Sequence, residues 1–271
     1  MVDEERGRLA ERAEEATVSG LVAMLTPEMA EALGVATARI GGGTAFRMGA
    51  ALELTMFNRV FGVGLDEPVS DDVVDEAAEF ARGAGAATLA MQLPPYVETP
   101  GVLGLLERRG FRRGSCWAKM MRPVGEPPTA LTDLRIAEVT AAEAEEFGRV
   151  QCVGMEMPPF LAPWCARQVT EPGWRAYAAY DGDRMVAIAS LFRHGDVGQL
   201  SGAATLPEAR GRGAQSALMA RRIADARDLG LRWITAETGA ETPEDPNPSL
   251  HNMHRAGLEL LYDRQNWLLD L

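Results

Sequence analysis

The chain has 271 residues, of which 46% are hydrophobic and 24% charged, and a formal net charge of -12. This is the composition of a folded globular protein of one or two domains and excludes a disordered chain; the negative charge argues against nucleic acid as a partner. No apolar run approaches the roughly 18 residues of a membrane span, and the N-terminus, Met1-Val-Asp-Glu-Glu-Arg6, is acidic where a leader is basic and then apolar, so the reading is cytoplasmic with no membrane.

In chain order, Phe57 to Leu65 reads as an apolar strand, Ser70 to Arg82 as a helix, Ala87 to Leu93 as a strand and Gly101 to Phe111 as a short helix stopped by Gly110. Asp66, Glu67, Asp71 and Asp72 crowd the start of the Ser70 helix, where they stabilise the helix dipole and repel an anion. Glu126-Pro-Pro-Thr129 reads as a linker, because two prolines exclude helix and interrupt a ladder.

Beyond the linker, Leu134 to Val139 is a short strand, and Thr140-Ala-Ala-Glu143 is a capping box opening a helix toward Val150. Arg175 to Tyr180 and Met185 to Phe192 form a hairpin around Asp181-Gly182, and His194-Gly-Asp196 turns into the strand around Leu200. After Thr205-Leu206 comes Arg210-Gly-Arg-Gly-Ala-Gln215, then a helix from Ser216 to Leu229. On it Met219, Ile223 and Ala226 recur at i, i+4, i+7, with Arg221, Arg222, Asp225 and Asp228 assigned to the other face. Leu231 to Thr238 is a strand, Ser249 to Ala256 a short helix and Leu258 to Leu269 the closing strands.

Strand, basic glycine-rich turn and helix make an anion site. Gly211 and Gly213 permit a tight turn near a ligand, Ala214 and Gln215 complete the loop, the first amides of the Ser216 helix lack intrahelical partners, and Arg210 and Arg212 add charge. Neither a Walker loop nor a dinucleotide fingerprint is present.

The stretch resembles the acyl-CoA pyrophosphate loop of the GNAT superfamily, Arg/Gln-x-x-Gly-x-Gly/Ala, with Arg210 and Gly213 at the first and fourth positions and Gln215 departing at the sixth. The order of elements from 131 to 271 also resembles this fold, and residues 1–125 resemble a faint copy whose acidic loop is unsuited to pyrophosphate. The resemblance therefore implies an α/β (α+β) chain of two tandem GNAT-like domains, each a mixed, mostly antiparallel sheet flanked by helices: 1–125 without a CoA loop and 131–271 catalytic. It implies acyl transfer from acetyl-CoA or another acyl-CoA to the amine of a small-molecule or peptide acceptor, by a monomer or homodimer. The alternative is a non-catalytic CoA-binding or small-molecule-sensing protein.

The resemblance further implies that Thr205 and Leu206 hold the pantetheine at a bulge favoured by Gly202, and that Asn247 and Asn252 lie near the cofactor. The family's usual strand carboxylate is replaced by Gln199 and Ser201, and its usual tyrosine by Met253. Glu237 on the next strand is either the base or a solvated surface carboxylate, and in the second case the amine arrives deprotonated. Ser249 is either a donor to the cofactor or a helix cap, and Tyr262 either an acid or strand surface. Met155 to Trp164, rich in Met, aromatic and Pro residues, is either acceptor pocket or core. Cys116, Cys152 and Cys165 lack zinc spacing, and His251 and His254 have no third ligand, so no metal is expected.

Overall fold

The structure, a computed structural model, describes residues 3–271; Met1 and Val2 of the acidic N-terminus lie outside the described residues. The elements in order are α1 (Glu4–Ala23), α2 (Pro27–Leu33), β1 (Val35–Ile40), β2 (Gly43–Met48), β3 (Arg59–Phe61), α3 (Asp71–Arg82), β4 (Thr88–Leu93), α4 (Pro100–Arg108) and β5 (Arg112–Pro123). There follow β6 (Arg135–Glu138), α5 (Ala144–Gly154), α6 (Ala162–Ala166), β7 (Trp174–Asp181), β8 (Arg184–His194), β9 (Val197–Thr205), α7 (Ala214–Asp228), β10 (Trp233–Gly239), α8 (Pro248–Arg255) and β11 (Glu259–Asp270).

All eleven strands form one sheet in the order β1-β2-β3-β4-β11-β5-β10-β9-β8-β7-β6. The order is nearly palindromic: β1 to β4 mirror β7 to β10, and the last strand of each half has crossed over. β11 lies beside β4, β5 beside β10, and β5 and β11 pair antiparallel at the centre. The two halves of the sheet are thus joined by exchange of their final strands, so neither half completes its sheet alone. Most pairings are antiparallel; β3–β4 and β9–β10 are parallel.

Two elements differ from the sequence reading for identifiable reasons. The Phe57–Leu65 strand shrinks to Arg59–Phe61, because Gly62 and Gly64 take positive φ and turn the chain. On α7, Arg222 and Asp225 are buried: they continue the row begun by Leu218 at i+4 and i+7, next to the one counted from Met219.

Helix α1 starts at Asp3, whose side chain accepts from the Arg6 amide, and buries Ala10, Ala13 and Val18 together with Glu11, Glu14 and Glu15. It leaves the N-terminal half to lie over β8, β9 and β10. Trp164 Nε1 on α6 donates to the Leu21 carbonyl at 2.7 Å.

Candidate active site

β9 and β10 pair only from Val197/Trp233 to Gln199/Thr235 and then part, so Leu200 to Thr205 keep an edge without a partner strand there. On its other edge β9 carries a bulge, since three steps from Ser201 to Ala204 face two from Ser190 to Ile188. Gly202 sits in it with φ +57, and a Cβ there would stand 2.9 Å from Gln151 Nε2.

A cleft of about 760 Å³ opens past this bulge, bordered by Ala203, Ala204 and Thr205, by Arg210, Gly211, Gly213, Ala214 and Gln215, and by Asn247, Ser249, Asn252 and Arg255. Helix α7 begins at Gly213 (φ +79) with no side-chain cap, and its first helical bond is Ala217 N to Gly213 O. The preceding amides are left for an outside acceptor. Arg210 is exposed and has no ion-pair partner among the described residues. Arg255, which the sequence reading missed, also reaches the cleft; only spatial proximity of α8 to α7 reveals it.

The two loop glycines have different roles. Gly211 has open space where a Cβ would be, toward the cleft, whereas a Cβ on Gly213 would lie 2.1 Å from the Leu131 carbonyl. Gly213 is therefore required by its left-handed φ and by its close approach to the Leu131 backbone, just beyond the linker. Gln215 turns away from the loop: its Nε2 donates to Ser249 Oγ at 2.7 Å and its Oε1 accepts from Asn252 Nδ2, tying α7 to α8.

Several expected ligands are engaged by other partners within the protein. Arg212 points outward to pair with Asp133 and Asp181, because the turn that exposes Arg210 sends the alternate side chain toward the hairpin. Leu206 is buried among Val139, Phe147 and Val150, and its amide donates to Val186 O. Asn247, not Ser249, caps α8; its Oδ1 accepts from Ser249 N at 2.9 Å and its Nδ2 holds Gly239 O at 2.6 Å. Tyr262 is buried away from the cleft and donates to Glu11 Oε1 at 2.9 Å. Burial, reinforced by the Glu11 carboxylate, pushes its phenol far above the ordinary value.

A second chamber of about 400 Å³ adjoins the first and shares Ala203, Gln215 and Ser249 with it. Both halves wall it: Glu14, Thr17, Val18 and Leu21 from α1, Phe46, Phe57 and Arg59 from the N-terminal sheet, and Gln199, Ser201, Arg222, Glu237 and Met253 from the C-terminal half. The Met155–Trp164 stretch contributes only Met155 to it. Met157, Leu161 and Trp164 are buried, with Phe57 edge-on to Trp164 at 5.4 Å, and Met157 and Trp164 also line a recess of about 90 Å³ that shares Phe57, Met155 and Ser201 with the chamber.

Glu14, Arg59 and Glu237 at the chamber wall belong to a buried ionic cluster of Glu11, Glu14 and Glu237 against Arg59, Lys119 and Arg264. The signs balance. Glu237 Oε2 accepts from Lys119 Nζ at 2.9 Å and from Arg264 Nη2 at 2.8 Å. For Glu14, burial favours the neutral acid, but Arg264, Lys119 and Arg59 together hold its carboxyl well below the usual range. His251 Nε2 lies 2.8 Å from Glu241, and no cluster of three or more metal-ligating side chains occurs among the described residues. Nor is any helix among them long and apolar enough to cross a membrane.

Residues 138–258, from β6 through α8, match the acetyltransferase (GNAT) family. That stretch of the chain is similar to GNAT acetyltransferase domains. The whole chain has the fold of a GCN5-related N-acetyltransferase from Kribbella flavida, 16% identical at TM-score 0.62 over 95% of this chain and 94% of that one. A GCN5-related N-acetyltransferase from Sphaerobacter thermophilus is 14% identical at TM-score 0.62 over 84% and 80% of the two chains. A tandem GNAT protein from the clavulanic acid biosynthesis pathway is 16% identical at TM-score 0.53 over 73% and 69%. At these identities the likeness is one of fold. No curated protein matches.

Proposed function

We propose that this chain transfers an acyl group, acetyl in the simplest case, from acyl-CoA to an amine, with one CoA site in the C-terminal half. The single observation that carries the reading is the junction of two cavities at Ala203, Gln215 and Ser249, one bordered by a phosphate cradle and the other walled by residues of both halves. The cradle fits CoA: α7 lacks a cap, Arg210 lacks a partner, and Gly211 opens on the cleft.

Bound there, acyl-CoA supplies a thioester carbonyl activated toward amines; the remaining tasks belong to the chain. The free edge of β9 offers backbone hydrogen bonds to the pantetheine arm. Ser249 Oγ accepts from Gln215, which fixes it and leaves its own proton to donate at the cavity junction, where negative charge develops on a leaving sulfur or carbonyl oxygen. The chamber, walled by both halves, orients the acceptor. Orientation of two reactants supplies up to about 7–11 kcal/mol in well-aligned systems.

Glu237 balances the ionic cluster and does not serve as base, since its Oε2 is already engaged by two cationic donors. The amine then enters deprotonated, and its proton leaves to water. The N-terminal half binds no CoA in this reading. Its α3 start is capped by Ser70 Oγ, Asp71 and Asp75 there pair with Arg109, and Val97 and Val69 fill the space beside Gly64. Its role is to roof the acceptor chamber.

Incubation with radiolabelled acetyl-CoA and an amine panel tests the proposal: labelled amide above the uncatalysed rate supports transfer. Saturable CoA binding without product from any amine returns the chain to the sensing alternative.

A further inference from the structure

Arg222 is a buried cation without a counter-ion. It is 2% exposed on α7, with Nη1 donating to Ser190 O at 3.0 Å and Nε to Leu218 O at 3.2 Å. Carbonyls solvate a guanidinium but do not neutralise it. Burial pushes its pKa down only to about 10, so it is charged at neutral pH.

Every carboxylate nearby is committed. Glu14 and Glu237 belong to the balanced cluster. Asp225, one turn along the same helix, takes the Tyr177 hydroxyl at 2.8 Å, Arg221 at 2.9 Å and Arg175 at 3.3 Å. Arg222 thus leaves one positive charge uncompensated, and it borders the 400 Å³ chamber. The same chamber holds a second incomplete group: Gln199 is 3% exposed, and its Oε1 has no hydrogen-bond partner. A buried, unpaired charge and an unmatched amide both cost stability, and a ligand that completes them recovers it on binding.

We propose that the ligand occupying this chamber carries a carboxylate that pairs with Arg222, while Gln199 receives one of its N–H groups. The inference rests on the acyl-transfer reading and narrows it. A planar guanidinium suits a carboxylate because two parallel N–H donors can meet its two oxygens. Two sources present that chemistry here: an acceptor of amino-acid type, or an acyl group ending in a second carboxylate.

Calorimetry separates the sources. In one arm the parent is titrated with acetyl-CoA and with succinyl-CoA; in the other the CoA-loaded parent is titrated with L-amino acids and with their carboxamides. One arm is expected to favour the carboxylate by at least about tenfold, the scale of a charge-assisted hydrogen-bonded pair. Arg222→Met should abolish the preference and Arg222→Lys retain part of it. Ligand-free Arg222→Met should melt above the parent, since an uncompensated charge is replaced by an apolar side chain of similar reach; Arg222→Gln gives a polar control should Met pack poorly. Absence of a carboxylate preference in both arms, or an undiminished preference in Arg222→Met and Arg222→Gln, overturns the inference and leaves acyl transfer standing. Failure of the parent to bind acetyl-CoA at all would instead remove the acyl-transfer reading itself.

Discussion

Lys119 and Glu237 are register partners on β5 and β10, 2.9 Å apart from Nζ to Oε2, although β5 closes the N-terminal half and β10 belongs to the C-terminal one. In the mirrored position, Asn266 on β11 faces Gln92 on β4, and the two amides bond at 2.7 Å. Strand exchange therefore places a charged pair beside the chamber and a neutral pair at the equivalent place on the N-terminal side of the sheet.

Lys119→Met leaves three buried carboxylates with two cations and should cost about 3–5 kcal/mol, the range for breaking a buried ion pair. The double variant Lys119→Asn/Glu237→Gln copies the amide pair and restores charge balance, so most of that loss should return. Chemical denaturation of the parent and both variants reads this out; a double variant no more stable than Lys119→Met would disprove the charge-balance account.

Glu14 predicts an acid response of definite sign. Its carboxyl is depressed from an ordinary value of 4.5, so its contribution to stability is fully present above that pH and is lost as pH falls toward its folded value. The stability gap between the parent and Glu14→Gln should stay constant from pH 7 to about 5 and narrow below 4.5. A gap of unchanged size at pH 3 would mean the cluster does not hold Glu14 ionised.

Ser249→Ala removes the free hydroxyl at the cavity junction and the acceptor for Gln215 Nε2. Turnover should fall about tenfold to a hundredfold, with acyl-CoA affinity altered less, since the hydroxyl acts where charge develops. Equal losses in affinity and turnover would reduce Ser249 to a packing role. Glu237→Gln, by contrast, should lower thermal stability while the folded variant keeps turnover within about tenfold of the parent. A hundredfold loss at unchanged stability would make Glu237 the base after all.

The C-terminal half was readable from local pattern. The capping box at Thr140 and Glu143, the Asp181-Gly182 hairpin and the loop from Arg210 to Gln215 each state their geometry within a few residues. What the sequence concealed was long-range. Helix α1 is hidden in the sequence because the face it buries carries Glu11, Glu14 and Glu15, which look like solvated surface until Arg59, Lys119 and Arg264 come to meet the first two and Arg12 and Arg39 the third. Tyr262 and Arg212 failed as site residues for a related reason: the direction of a side chain on a strand or turn depends on partners more than 30 residues away. Arg222 was misplaced by counting the helix face from one apolar row when two adjoin the core.

The central claim is a single acyl-CoA site at the α7 loop, and titration of acetyl-CoA into the parent and Arg210→Glu by calorimetry tests it most directly. Arg210 is the informative position, because it is exposed and unpaired, whereas any Gly213 variant would collide with Leu131 and disturb the linker as well as the ligand. The account predicts one CoA per chain for the parent and, in Arg210→Glu, affinity weaker by at least about tenfold with an unchanged melting temperature, since reversing the charge opposes the phosphates without touching the core. Two CoA per chain, or equal affinity in the charge-reversed variant, would contradict it.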